Sequence, residues 1–387
     1  MNRKLIITRF EDRIMTALFE NDDIVELHCS ENDSLLGNIY VGKVKNIVRN
    51  INAAFVEIEK GIECYYPMEQ RTTLKVGDEL IVQVSKEAVK TKAPTVSTNL
   101  NFTGKYAVLT SEDTRIGVSA KLKAADKERL QEIAKPYMSD SYGVILRTNA
   151  KDADENILKQ EIEHLIQEYE DLMSKAGTRV CYSCLKQASK QYIDDLRNMY
   201  QDGTSEIIVE DVDIYDEIRE YLKEEQPEDI ENLRFYQEKL LPLHKLYSLE
   251  KHISNALKEY VWLKSGAYLV IQPTEALTVI DVNTGKCISK KKDDETYLKI
   301  NIEAAKEAAK QIRLRNLSGI ILIDFINLEK AEYTEQLLRA FESELKKDRI
   351  ETSLVDVTKL QLVEVTRKKV RKPLHEAFFQ KKIEKPV

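Results

Sequence analysis

Residues 267–285, AYLVIQPTEALTVIDVNTG, and 319–328, GIILIDFINL, decide the reading of this chain. The first is two apolar runs around a turn and the second is one buried run. Between them, NIEAAKEAAKQIRLRNLSG (301–319) places its apolar residues at helical spacing up to Gly319. Strand, helix, strand is α/β logic. Two of the apolar strands end on a carboxylate, Asp281 after LTVI and Asp324 after GIILI. A carboxylate ending a buried strand is costly unless something binds it. In open α/β sheets ligands collect beyond the carboxyl ends of the strands. Two such groups on neighbouring strands would meet at one crevice, and hard oxygen donors of this kind suit Mg²⁺. Asn283 projects from the same turn as Asp281 and is placed to orient a carboxylate, a water or a phosphate oxygen. The alternative is that Asp281 caps a turn and Asp324 caps the next helix.

Upstream, the pattern changes character several times. The opening alternates apolar and polar residues (LIITRF, IMTALFE, IVELHCS) around an Asn21-Asp22-Asp23 turn, which predicts a small β unit. Between Leu36 and Asn99, GNIYVGKVKNIVRN, AAFVEIE, ECYYP and KVGDELIVQVSKEA are short strands with tight turns, the pattern of a small barrel. YAVLTS, IGVSAKL, a helix over 124–137 and YGVILRT follow as an α+β unit. A helix then runs to Gly177, with Ile157, Ile162, Leu165, Ile166 and Leu172 on its apolar face. Residues 188–258 mix helices with the strand SEIIVED. The tail after Gln380 is the one segment that reads as disordered.

A chain of 387 residues predicts two or three domains. No apolar run approaches the roughly 20 residues that a membrane-spanning helix needs, and MNRKLIITRFEDR lacks a signal-peptide core. Five cysteines without such a signal point to reduced thiols, so the expected location is the cytoplasm. The net charge of -7 would repel polyanions on average, but 13 acids between residues 201 and 231 outweigh it, and the remainder is mildly basic. KCISKKK (286–292) and RKKVRK (367–372) are dense cationic runs, either solvated surface or phosphate attractors. Cys181 and Cys184 form a single CxxC, poor support for zinc without a second pair. The five histidines are scattered and make no nucleophilic triad.

TEALTVIDVNTG, NIEAAKEAAKQIRLRNLSGIILIDFINLE and LVEVTRKKVR together resemble the catalytic core of the ribonuclease E/G family, bacterial endoribonucleases that cut single-stranded RNA. NIYVGKVKNIVRNINAAFVEI is similar to that family's S1-type barrel and GVILRT to its 5′-sensor. The resemblance implies a multidomain α/β and α+β chain. An RNase H-like subdomain (1–35 and 191–257) would be split around an S1, or OB-fold, barrel (36–99) and a 5′-sensor region (100–190). A DNase I-like catalytic subdomain with a basic tail (258–387) would follow. By the same resemblance Asp281 and Asp324 match the family's magnesium-binding aspartates, with Mn²⁺ as a substitute, and Asn283 its supporting asparagine. Phe55 and Tyr65 match an aromatic pair that packs on RNA bases, and Lys86 and Lys92 match basic residues beside it. Phe55 between Ala and Val also suits a barrel core. Gly104, Val108, Arg147 and Thr148 match the pocket that grips a 5′-monophosphate, although NAKDADENI after Thr148 lacks the glycines usual there. No C-P-x-C zinc link follows the core, so no zinc is expected, and any homo-oligomer is expected to assemble by another route. The implied activity is Mg²⁺-dependent cleavage of single-stranded, A/U-rich RNA to 5′-phosphate and 3′-hydroxyl ends. The rival readings are an RNA-binding protein that does not cut and a phosphodiesterase acting on DNA.

Overall fold

The structure is a computed structural model that describes residues 2–10, 13–30, 34–68, 73–88, 93–198, 205–238, 240–285 and 293–379. Lys92, the run 286–292, residues 201–204 of the acidic stretch and the tail after Gln380 lie outside the described residues. The chain forms two compact units, Met1–Glu31 with Asp202–Val387, and Asn32–Gln201.

The first unit opens with antiparallel strands β1 (Arg3–Phe10), β2 (Arg13–Glu20) and β3 (Asp23–Ser30). Asn21 and Asp22 turn between the last two at positive φ, a conformation their short polar side chains tolerate.

In the second unit, β4 (Ile39–Val48), β5 (Ala53–Glu59), β6 (Ile62–Pro67), β7 (Glu79–Lys86) and β8 (Thr95–Ser97) pair in the order β4-β5-β6-β8-β7, and β7 returns to β4. That ring closes a five-stranded barrel around Tyr40, Val44, Val56, Ile58, Tyr66 and Val82. A second sheet of order β11-β12-β10-β9 is built from β9 (Asn101–Thr103), β10 (Ala107–Thr110), β11 (Ile116–Val118) and β12 (Gly143–Leu146). It shares a core with α1 (Ala124–Ala134) and α2 (Glu155–Ala176). Asp154 caps α2 by accepting from the Asn156 amide. Leu158, Ile162, Leu165 and Leu172 are its buried residues. Ile157, expected on that face, is 39% exposed instead, because the buried stripe runs through its neighbour Leu158. β13 (Cys184–Lys186) pairs with β4 outside the ring, and α3 (Gln191–Arg197) ends the unit.

The chain then re-enters the first unit. β14 (Ser205–Val209) runs parallel to β1 and, after α4 (Val212–Glu225), β15 (Leu233–Phe235) runs parallel to β14, giving the sheet β15-β14-β1-β2-β3. Helices α5 (Leu243–Leu246) and α6 (Leu249–Ala256) lead into a six-stranded sheet of order β16-β17-β18-β19-β21-β20. Its strands are β16 (Tyr260–Trp262), β17 (Tyr268–Pro273), β18 (Leu277–Asn283), β19 (Gly319–Asp324), β20 (Thr352–Val357) and β21 (Val363–Arg367). Helix α7 (Asp294–Leu314) connects β18 to β19, which lie parallel, and α8 (Ala331–Leu345) follows β19.

Alternation fixes which face of this sheet is covered. Leu269, Ile271, Ile280, Val282, Ile321 and Ile323 point one way, into a core shared with Ala304, Ala308 and Ile312 of α7 and Leu337 and Phe341 of α8. The intervening residues, Asp281, Asn283 and Asp324 among them, occupy the other face and are half-buried or exposed. Helix α7 ends at Leu314 rather than running to Gly319. Asn316 takes φ 50°, and the Asn316 and Leu317 amides donate back to Arg313 and Ile312, a Schellman termination in which Asn does what Gly commonly does. Gly319, at φ 84°, opens β19 instead. No helix among the described residues is long and apolar enough to cross a membrane.

Candidate active site

Strands β18 and β19 bring the two sequence-predicted aspartates together. Asp281 and Asp324 are direct partners in the parallel register, so their side chains leave the same face side by side. β18 continues through Asp281 to Asn283, so Asp281 lies within a strand rather than at its end, whereas Asp324 is the last residue of β19. Asn283 shares Asp281's face, and its Nδ2 donates to Asp281 Oδ2 at 2.5 Å, which fixes the carboxylate's orientation. Helix α8 has its N-cap at Lys330, so Asp324 is not a helix cap. Burial pushes the Asp324 carboxyl above the usual range, and the neighbouring charge of Asp281 pushes the same way. Among the described residues, no Lys, Arg or His is ion-paired with either aspartate.

The loop that leaves Asp324 is held by α7. Buried Asn301 donates through Nδ2 to the Ile326 carbonyl at 2.7 Å and accepts from the Ile326 amide at 3.0 Å. Asp294 accepts from the amides of Glu329 and Lys330 at 2.9 and 3.0 Å. These two positioning residues escape a sequence reading, since an Asn and an Asp on an amphipathic helix look like solvated positions.

In the barrel, one cross-strand row carries three of the expected residues. Lys86 pairs with Thr95, Thr95 with Tyr65, and Tyr65 with Phe55. Phe55 is half-buried on the outer surface, since Ala54, Val56 and Ile58 fill the interior, and its ring meets Tyr65 edge-on at 6.2 Å. Tyr66, by contrast, points inward and its hydroxyl lies 3.2 Å from that of Thr98. Lys86 is exposed at the end of β7.

Gly104, Arg147 and the segment between β9 and β10 form a tight cluster. Arg147 donates through Nη1 to the carbonyls of Gly104 at 2.6 Å and Lys105 at 3.4 Å, and through Nη2 to the Asn198 side chain. The opposite side of the same turn is held by Glu161 of α2, whose carboxylate accepts from the amides of Lys105, Tyr106 and Ala107 at 2.9, 2.7 and 2.8 Å. Burial raises the Glu161 carboxyl despite these three donors. A Cβ at position 104 would collide with that carboxylate, which is why glycine stands there. Thr148 shares a 2.9 Å hydrogen bond with Ser119, and Val108 sits half-buried on β10 opposite Ile145. Cys181 is half-buried and Cys184 exposed, and burial raises both thiols.

A sequence model described as the ribonuclease E/G family matches residues 101–370. The chain belongs to the ribonuclease E/G family. Ribonuclease G of Haemophilus influenzae is 32% identical over 394 residues, covering 95% of this chain and 79% of that protein. Ribonuclease G of Escherichia coli K12 is 30% identical over 400 residues, covering 97% and 81%. Ribonuclease E of Synechocystis is 32% identical over 399 residues, covering 98% of this chain and 59% of that longer protein. The match to the ribonuclease E/G family includes β18, β19, the Gly104 turn and Arg147, and the pairwise similarity to the two ribonucleases G extends over nearly the whole chain.

Proposed function

We propose that this chain is an endoribonuclease that cuts single-stranded RNA, with a preference for A/U-rich segments, in RNA processing or decay, and leaves 5′-phosphate and 3′-hydroxyl ends. The observation that carries the reading is the register pairing of Asp281 with Asp324 beside Asn283 on the open face of the sheet, in a member of a ribonuclease family.

The donor set suits magnesium, which takes one or two carboxylates and keeps its remaining positions for water and substrate phosphate. Two adjacent carboxylates, one raised by burial and further by the other's charge, are a pair that a divalent cation relieves. Magnesium held there would polarise the scissile phosphoryl oxygen and acidify the attacking water. Asp281 and Asp324 would hold it, and Asn283 would keep Asp281 from rotating away. The order β15-β14-β1-β2-β3, with three antiparallel strands and two parallel ones, supports an RNase H-like subdomain interrupted by the barrel and sensor. The helix-backed mixed sheet supports a DNase I-like catalytic subdomain. The decisive experiment is cleavage of an unstructured oligoribonucleotide by the purified chain in Mg²⁺ with and without EDTA. Binding without cleavage in Mg²⁺ would transfer the protein to the non-cutting alternative.

Phe55 and Tyr65 would offer ring faces to bases on the barrel surface while Lys86 meets phosphate. Stacking contributes roughly 1 to 3 kcal/mol per base. Phe55→Ala is expected to weaken RNA binding about tenfold. Its melting temperature should fall far less than the loss of a core Phe, roughly 3 to 5 kcal/mol, would produce. A core-sized drop in a thermal melt would reassign Phe55 to packing.

Arg147 and Thr148 would read a terminal phosphate at the Gly104 turn. A charge-assisted hydrogen bond contributes roughly 1.5 to 3 kcal/mol. Arg147→Ala should therefore slow cleavage of 5′-monophosphorylated RNA about tenfold or more and leave 5′-hydroxyl RNA nearly unchanged. Equal losses on both substrates would mean that Arg147 only holds the turn through the carbonyls of Gly104 and Lys105.

A further inference from the structure

The open face that bears the aspartates also bears three aromatic rings. Tyr260 and Trp262 on β16 are 53% and 63% exposed. Tyr268 on β17 lies against both, its ring centroid 5.8 Å from that of Tyr260 and 5.0 Å from that of Trp262. The register joins these rings to the site in two rows. Trp262, Tyr268 and Asn283 form one, and Tyr260, Val270, Asp281 and Asp324 form the other. Partners across strands share a face, so rings and carboxylates lie on one continuous surface. With strands about 4.8 Å apart, Trp262 stands about 10 Å from Asn283, within reach of nucleotides that adjoin one seated at the aspartates.

Edge strands are ordinarily guarded by charge or by shortness. β16 is short, yet it spends two of its three residues on exposed aromatics, and burial elsewhere in the fold does not require them. We propose that Tyr260, Trp262 and Tyr268 form a stacking platform for bases of single-stranded RNA next to the scissile phosphate, a subsite separate from the barrel row. The inference rests on the ribonuclease reading and adds a second set of base contacts to it. RNA fits this surface better than a protein partner does. Charged groups are depleted from the core of a protein interface, whereas here the rows run directly into Asn283, Asp281 and Asp324. Aromatic rings beside groups that attract a phosphate-bound cation suit a nucleic-acid strand, whose bases and backbone need both.

Trp262 is the only tryptophan in the chain, so its fluorescence reports on the platform alone. The full chain in EDTA would be titrated with a short unstructured oligoribonucleotide, with binding read independently by anisotropy of a labelled copy. Trp262 emission is expected to be quenched with the same midpoint as the anisotropy, and heparin, a polyanion without bases, should leave it unchanged. Tyr268→Ala and Trp262→Leu should each weaken binding roughly 5- to 100-fold, with melting temperatures near that of the parent. Saturating anisotropy with unmoved emission, or undiminished binding by both variants, would overturn the platform. Emission that responds to protein concentration and not to RNA would give the face to a second copy of the chain and overturn it equally. Cleavage of RNA by a protein whose Trp262 is never quenched removes this inference alone, whereas a chain that neither binds nor cuts RNA removes the ribonuclease reading with it.

Discussion

Asp324→Asn is expected to cut an unstructured oligoribonucleotide in Mg²⁺ roughly 100- to 1000-fold more slowly than the parent, while its fold in EDTA is no less stable. Electrostatic help from a metal at a transferring phosphoryl group amounts to several kcal/mol, and each 1.36 kcal/mol is about a factor of ten in rate. The stability half follows from the sign of the pKa shift. Burial and the Asp281 charge raise the folded-state pKa of Asp324 above its unfolded value. A carboxyl shifted in that direction stabilises the fold below its unfolded pKa and loses that contribution as pH rises through the folded value. Without a cation an ionised Asp324 is therefore a cost to the fold, and an amide at position 324 removes it. Added Mg²⁺ should raise the melting temperature of the parent and leave that of Asp324→Asn unmoved. Asp281→Asn should behave alike in rate. It also replaces the charged acceptor of Asn283 Nδ2 by a neutral amide oxygen, so its gain in metal-free stability should be smaller. Wild-type rates from either variant would remove both aspartates from the chemistry.

What could be foreseen here depended on whether a pattern is carried locally. The aspartates are legible because each follows a mostly apolar run on a short strand, and that contrast survives in one dimension. The barrel is legible for the same reason, since period-two alternation and Gly77-Asp78 mark its strands. The end of α7 is misplaced at Gly319 because Gly is the commoner helix stop, whereas Asn316 takes the left-handed position through side-chain bonds to the carbonyls of Arg371 and Lys372. Glu161 is invisible for a different reason. It sits on a helix rich in acids, and only the turn folded against α2 distinguishes it from Glu163 or Glu168. Tyr260, Trp262 and Tyr268 look like ordinary strand residues until the register shows that they share a face with Asp281.

Within the RKKVRK run Lys368 and Lys369 are exposed, as a solvated run should be, and Arg367 is where composition misleads most sharply. Arg367, the first residue of the run, is neither solvated surface nor a phosphate contact. Its side chain is 3% exposed and pairs through Nε with Asp348 Oδ2 at 2.8 Å, itself 4% exposed. Nη1 donates to Asn316 Oδ1 at 2.6 Å and to the Leu317 carbonyl at 3.0 Å. Asp348 in turn accepts from the Ile350 amide at 2.9 Å and the Thr352 hydroxyl at 3.1 Å. One buried cation thus ties the end of α7, the chain after α8 and strand β21 together, behind the strand that delivers Asp324. Removing one partner leaves the other charged and buried, which typically costs about 3 to 5 kcal/mol. Asp348→Ala and Arg367→Ala should each lose about that much in denaturant unfolding. Asp348→Leu combined with Arg367→Met should lose much less than the sum of the two single losses, because no orphaned charge remains. Strand β19 would then keep its ladder bonds to β18 and β21 but lose the ionic tie beside its first residue, so the double variant should keep more of its stability than of its cleavage rate. Single variants that lose less than about 1 kcal/mol would mean that water reaches Arg367 in solution and that the tie behind Asp324 is not what holds the carboxylate pair in register.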